Sequence, residues 1–178
     1  MFGFLNRLYF KKKLHNIKSL GKNVHVHEST EIYAPELLEI ANDVHIQQGC
    51  KLFADGGGIY IGEGTIFAHD VQIMARNHVY DAPDLESVPY DHRFKNEKVK
   101  IGNFCWIGAR ATILPGVTIE DGVVIGAGSV VNHDVPKGAV VVGNPAKIVK
   151  YRNITKFDKL VDEEKGYIKL KRQKGKNK

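Results

Sequence analysis

Between residues 101 and 131 an aliphatic side chain recurs at every sixth position, as Ile101, Ile107, Ile113, Ile119, Ile125 and Val131. Four residues after the successive starts come Cys105, Ala111, Val117, Val123 and Ser129, all small or β-branched. A step of six is neither the 3.6-residue period of a helix nor the simple alternation of a strand. It predicts a solenoid of short strands and corners, with one bulky residue filling each wall and a small one where walls converge. Gly102, Gly108, Gly126 and the Pro115, Gly116 pair then fall where the chain must turn. One coil cannot bury its inner row alone, so the coils must stack.

The same period runs through earlier segments, as Val26 and Ile32, then Ile40, Ile46 and Leu52, then Ile61, Phe67 and Ile73. Its phase slips by two between Ile32 and Ile40 and by three between Leu52 and Ile61, as expected where a loop bulges from a corner. With three walls per turn, Val26, Ile46, Phe67, Ile107 and Ile125 stack on one wall, and Ile32, Leu52, Ile73, Ile113 and Val131 on the next. This requires residues 79–98, polar and without the period, to leave the solenoid as an extruded loop, and a loop of that length in a compact repeat is usually functional. Cys50 and Cys105 both fall on the small inward position, as buried structural thiols rather than reactive ones.

The ends have another character. Residues 1–20 carry apolar side chains at helical spacing, Phe2, Leu5, Leu8, Tyr9, Phe10, Leu14 and Ile17, with basic residues between them. This predicts a short N-terminal helix that packs on the body, the alternative being a membrane-surface anchor. It lacks the long apolar centre of a signal peptide. Residues 153–178 predict a short helix with Phe157, Leu160 and Val161 on one face and Gly166 as its stop, covering the open end of the solenoid, then a basic tail.

Of the 178 residues, 43% are hydrophobic, enough for one core and one domain, residues 21–152. The chain has 26 Lys and Arg against 20 Asp and Glu, but the last eight residues hold five of the basic ones. The body is therefore nearly neutral, and with no nucleic-acid-binding motif present a nucleic-acid partner is not expected. Two cysteines form neither a metal pair nor a disulfide framework, which fits a reducing, cytoplasmic setting. No apolar run approaches the roughly 18 residues of a membrane span.

The run "IGNFCWIGARATILPGVTIEDGVVIGAGSVV", followed by "DVPKGAVVVGNPAKIVKYR", resembles the hexapeptide-repeat acyltransferases, in the branch of galactoside, maltose and polysaccharide O-acetyltransferases. The match covers roughly residues 20–152 and is most specific in its last 50. The resemblance implies a left-handed parallel β-helix, an exception to the usual right-handed crossover. It also implies a homotrimer with acetyl-CoA in a groove between subunits. It puts the catalytic histidine just before the loop, at His78, and a tryptophan beside the pantetheine arm, at Trp106. Backbone contacts to the thioester fall on Gly108, Ala109, Gly126 and Ala127, and contacts to the CoA phosphates on Lys147 and Lys150. His133 stands where the family often has a lysine for a further phosphate contact.

Acetyl transfer to a hydroxyl needs a base, because an alcohol is a poor nucleophile at neutral pH, and histidine can take that proton and pass it on to the leaving thiolate. Direct transfer requires no acyl-enzyme, consistent with the lack of a nucleophilic Ser or Cys motif. Asp70, Asn77, Tyr80, Asp81 and Arg93 are candidates to hold a polar acceptor, a sugar or a cell-surface glycan precursor. Asp70, Asp91 or a backbone carbonyl could orient His78. His25, His27 and His45 adjoin inward aliphatics and so face outward.

N-acetylation of an amino sugar is the nearest alternative reaction. A zinc site of the γ-carbonic-anhydrase kind needs three converging histidines, and the spacing of His69, His78 and His92 does not supply it, so no metal is expected. An inert scaffold would keep the inner rows without His78 and Trp106. Serine acetyltransferases are disfavoured by the short segment before the first coil.

Overall fold

The structure, a computed structural model, describes residues 13–176. Phe2, Leu5, Leu8, Tyr9 and Phe10 of the N-terminal segment lie outside the described residues, and with them the question of a membrane-surface anchor. Leu14 and Ile17 of that segment pack against the core. Among the described residues no helix is long and apolar enough to cross a membrane.

The chain winds as a parallel β-helix. The first coil holds β1 (Ser19–Leu20), β2 (His25–Val26) and β3 (Glu31–Tyr33), and the second β4 (Leu38–Ile40), β5 (His45–Ile46) and β6 (Lys51–Phe53). The third holds β7 (Ile59–Ile61), β8 (Ile66–Phe67) and β9 (Gln72–Met74). There the chain leaves through β10 (Arg76–His78), returns through β11 (Phe94–Asn96), and resumes the fourth coil with β12 (Val99–Ile101), β13 (Trp106–Ile107) and β14 (Thr112–Ile113). The fifth coil is β15 (Thr118–Ile119), β16 (Val124–Ile125) and β17 (Val130–Val131). A sixth, partial coil contains β18 (Ala139–Val142), against which β19 (Lys147–Tyr151) folds back antiparallel.

These strands form three walls. β1, β4, β7, β12 and β15 make the first; β2, β5, β8, β13, β16 and β18, with β19 beside it, make the second; β3, β6, β9, β14 and β17 make the third. The predicted columns are those observed, with Ile46 level with Phe67, Phe67 with Ile107 and Ile107 with Ile125 on the second wall. Strands this short suffice because each two-residue strand of the second and third walls needs to supply only one inward residue, and Ile46, Leu52, Phe67, Ile73, Ile107 and Ile113 are fully buried. The small inward positions are buried too, Cys105 and Ala111 among them. Burial pushes the Cys105 thiol up to about 12 and raises Cys50 as well, so neither is a ready nucleophile.

Two features differ from the sequence expectation. The excursion begins at Arg76, not at residue 79, because β10 and β11 pair as an antiparallel ladder at the base of the loop. The C-terminal segment does not lie across the open end. After Asn153, whose side chain caps Lys156 N–H, helix α1 (Ile154–Asp162) and helix α2 (Tyr167–Lys176) run along the edge between the first and second walls. Ile154 lies against Gly138 of the sixth coil, Phe157 against Gly122 of the fifth and Phe104 of the fourth, and Arg172 pairs with Asp43 of the second at 3.0 Å. The reason is chemical complementarity: the corner glycines leave room for aromatic rings along that edge. At the sixth coil, residues 143–146 take the third-wall place themselves, with Ala146 buried and its N–H donating to Val130 O.

Candidate functional site

His78 ends β10 at the edge between the third and first walls, directly across the ladder from Phe94. Alternation along the strand puts Arg76 on the same face as His78 and Asn77 on the other. The imidazole stacks on Tyr90, centroid to centroid 3.7 Å and 22° between planes, and packs tilted against Phe94 at 4.4 Å and 39°. No ring contact joins Tyr90 to Phe94 among the described residues, so two rings this close to the imidazole lie on its opposite faces. The Arg76 guanidinium covers Phe94 at 4.2 Å and pairs with Asp55 at 2.5 Å, extending the stack to four layers.

His78 Nδ1 is sealed from solvent and has no hydrogen-bond partner. An unpaired buried polar group costs on the order of 1–3 kcal/mol, and such costs concentrate at functional sites. Nε2 is the nitrogen left for an incoming group.

The loop beyond the ladder is held by ion pairs. Arg93 donates from Nε and Nη2 to Asp91 Oδ2 at 2.9 and 2.6 Å, and from Nη1 to Asp84 Oδ2 at 2.9 Å. The Asp91 side chain is 1% exposed, and the Arg93 guanidinium holds its carboxyl far below the usual carboxylate range. The same bonds raise Arg93, and they lower Asp84.

Arg93 and Asp91 are therefore committed to each other, Arg93 as a staple of the loop rather than an acceptor ligand and Asp91 not as the group orienting His78. Tyr80 and Asp81 are exposed on the loop. Asn77 uses its side-chain carbonyl on the His78 N–H, 2.9 Å away. Asp70 lies on another edge, between the second and third walls, one wall away from His78.

The residues expected to meet the donor gather elsewhere. Trp106 projects from the outer face of the second wall, 57% exposed, level with Val124; Val124 is level with Val140 and Val140 with Lys150. Lys147 stands beside Val142, so both lysines occupy outward positions on that wall. From Trp106 to Lys150 the column spans three strand spacings, about 14 Å. A groove of 340 Å³ runs between this wall and the helices, lined by Ile66, Trp106, Val124, Phe157, Leu160 and Tyr167, among others.

At the second-to-third edge, the amides of Gly108 and Gly126 are spent on Ile125 O and Val141 O. A Cβ on either glycine would meet its neighbour at 2.6 Å, so both serve the close stacking of coils. The amides of Ala109 and Ala127 have no partner among the described residues. His133 is exposed on the loop edge, away from the two lysines, with Nδ1 2.9 Å from Asn132 Oδ1.

One chain thus does not bring its candidate parts together. In a triangular section the edge carrying His78 is opposite the second wall carrying Trp106, Lys147 and Lys150. Among the described residues no group of three or more His, Cys, Asp or Glu side chains could hold a metal ion. Reading the sequence alone missed Tyr90 and Phe94; the signal was the alternation of Arg76 and His78 against Phe94 across a hairpin base.

The six-repeat signature of a bacterial transferase hexapeptide matches residues 98–133. An Escherichia coli K12 protein named as a lipopolysaccharide-biosynthesis O-acetyltransferase is 35% identical over 132 residues, 71% of this chain and 64% of that one. The chain spans about half to two-thirds of the length of the curated relatives it matches. Among solved structures, a maltose O-acetyltransferase from Clostridium difficile 630 is 30% identical with a TM-score of 0.63, the likeness covering 84% of this chain and 83% of that one. A galactoside acetyltransferase in complex with coenzyme A is 26% identical with a TM-score of 0.72, covering 82% and 70%.

Proposed function

Because the chain belongs to the hexapeptide-repeat acetyltransferases, we propose that it transfers acetyl from acetyl-CoA directly to a hydroxyl of a sugar or cell-surface polysaccharide precursor. The observation that carries this reading is His78, held by stacked rings at the base of a stapled loop with Nε2 left to an incoming group. The sugar acceptors named for the maltose and galactoside enzymes, and the lipopolysaccharide role named for the Escherichia coli relative, support the acceptor class. The coenzyme A bound to the galactoside enzyme supports the donor.

In the proposed reaction Nε2 takes the hydroxyl proton as the oxygen attacks the thioester carbonyl. The tetrahedral oxyanion is met by backbone N–H groups, for which Ala109 and Ala127 are the free candidates. Collapse breaks the C–S bond, and the imidazolium returns its proton to the departing thiolate. The buried cysteines leave no thiol for an acyl-enzyme. Trp106 and the valine column would receive the pantetheine arm, and Lys147 and Lys150 the phosphates. The donor and the absence of disulfides fit a cytoplasmic enzyme acting on a precursor.

Since His78 and Trp106 stand on opposed faces of one chain, the working site takes His78 from one copy and the donor column from the next, in a closed homotrimer. The test is complementation. His78→Ala and Trp106→Ala proteins, each nearly inactive, are unfolded, mixed and refolded, and CoA release is measured with acetyl-CoA and a panel of sugars and glycans. Recovery of activity is expected, because mixed trimers regain intact sites. A wild-type protein that releases no CoA with any acceptor would overturn the activity, recovery confined to amino sugars would make it N-acetylation, and a stable active monomer would overturn the shared site.

A further inference from the structure

We propose that Tyr90 and Phe94 are positioning residues that clamp the His78 imidazole in one orientation, so that Nε2 alone faces the reacting groups. For its kinetic consequence this rests on the acetyl-transfer reading; for its geometry it does not.

His78 has no fixed polar partner to orient it: Nδ1 is sealed and unpaired, and Asp91, the nearest acid in sequence on the returning limb, is engaged by Arg93. A ring that turns freely about its χ2 bond would exchange the places of its two sides and lose the alignment proton transfer needs. The structure supplies a different restraint. Tyr90 and Phe94 cover the two faces of the ring at 3.7 and 4.4 Å, and a turn about χ2 drives the imidazole edge into both.

Each clamp half is itself held. Phe94 is fixed by the β10–β11 ladder and by Arg76, which is anchored on Asp55. Tyr90 is fixed by its carbonyl, which accepts from Ser87 Oγ at 2.9 Å, and by its neighbour Asp91 in the Arg93 staple. The clamp therefore orients the ring through its two aromatic faces, and the phenol oxygen of Tyr90 is not required for this.

The test uses the full chain with ¹³C-labelled histidine. Sandwiched between two aromatic rings, the His78 ring protons resonate well upfield of an exposed histidine, and His78→Gln assigns them by their loss. Tyr90→Phe is expected to keep the shifted signals and to hold kcat within about twofold. Tyr90→Leu and Phe94→Leu are expected to move the signals downfield and to lower kcat about tenfold, with KM for acetyl-CoA unchanged. Val88→Ser, at a loop-tip residue 87% exposed, is the control and should change neither. Unshifted wild-type signals, Tyr90→Leu signals that stay upfield, or Tyr90→Leu kinetics equal to wild type would each overturn the clamp. A wild-type protein with shifted signals and no acetyl transfer would overturn the proposed function while leaving the geometry of the clamp intact.

Discussion

At the edge between the first and second walls, the C-terminal helices lie flat on the coils through an apolar seam. Phe157 is buried on Gly122 and Phe104, Ile168 is buried further along, and Arg152 covers the Phe157 ring at 4.8 Å. At the edge between the third and first walls, the loop stands away from the coils and is held by the Asp91, Arg93 and Asp84 cluster and by stacking on His78. The six-residue period runs unbroken across the first of these edges, from Ile61 to Phe67 and from Ile101 to Ile107, and fails at the second, between Ile73 and Ile101. An apolar seam adds stability and closes the surface. Ion pairs and exposed rings hold a side chain in place while leaving it reachable, at the cost of an unpaired Nδ1.

The largest expected effect tests whether the loop edge is chemical. Under the proposed function, His78→Ala should lower kcat by about 10² to 10⁴, the usual worth of a general base, and change the free energy of unfolding by less than about 1 kcal/mol. A destabilisation of several kcal/mol would mean that the loop edge, like the other, is part of the scaffold. Phe157→Ala tests the helix edge. Losing a buried Phe should cost about 3 kcal/mol in chemical denaturation and should expose α1 and α2 to proteolysis. Unchanged stability would show that the helices rest on the solenoid without supporting it.

A third prediction concerns the staple. Arg93→Ala leaves a carboxylate sealed without its partner, so amide exchange in residues 79–93 should accelerate at least tenfold while the coils keep their protection. The pH dependence follows from the sign of the shift. Asp91 titrates below its ordinary value of about 3.9 in the folded loop, so the stabilisation is complete above that value and is lost as pH falls through the folded one. Loop protection in the wild type should therefore be level from pH 7 to about 5 and decline only below about 4. Protection already lost on acidification well above pH 4 would show that the Asp91–Arg93 pair is not what holds the loop.

Much of this was legible in the order of residues, and the part that was not has a physical reason. Ile101 to Val131 declare three walls because a solenoid imposes the same demand at every coil, and repetition makes a weak local signal strong. His78 could be singled out only through the family resemblance, which expects a histidine just before the loop where the period fails. The path of α1 and α2 could not be read: Phe157 and Ile168 announce an apolar face, but nothing local says which surface will receive it. The clamp was hidden for a similar reason, since Tyr90 and Phe94 meet His78 only after the loop has turned back, about 11 and 15 residues further on, and Arg93 reads as a free cation until its partners are placed.

The smallest expected effect separates backbone strain from contact at the two kinds of corner. Gly122 and Gly128 have the same left-handed conformation, with φ of 69° and 70°, on the first and second edges respectively. A Cβ at Gly128 would meet nothing within 4 Å, whereas one at Gly122 would sit 2.6 Å from Phe157 Cζ. Gly128→Ala should therefore cost only the left-handed backbone, about 1 kcal/mol, and Gly122→Ala about 1 kcal/mol more, read from denaturation midpoints. In a Phe157→Ala background the ring is gone, so Gly122→Ala should fall to the cost of Gly128→Ala, and the coupling measures how tightly the seam is closed. Equal costs in the wild-type background would mean that α1 yields to a methyl group, and that the apolar edge is adaptable.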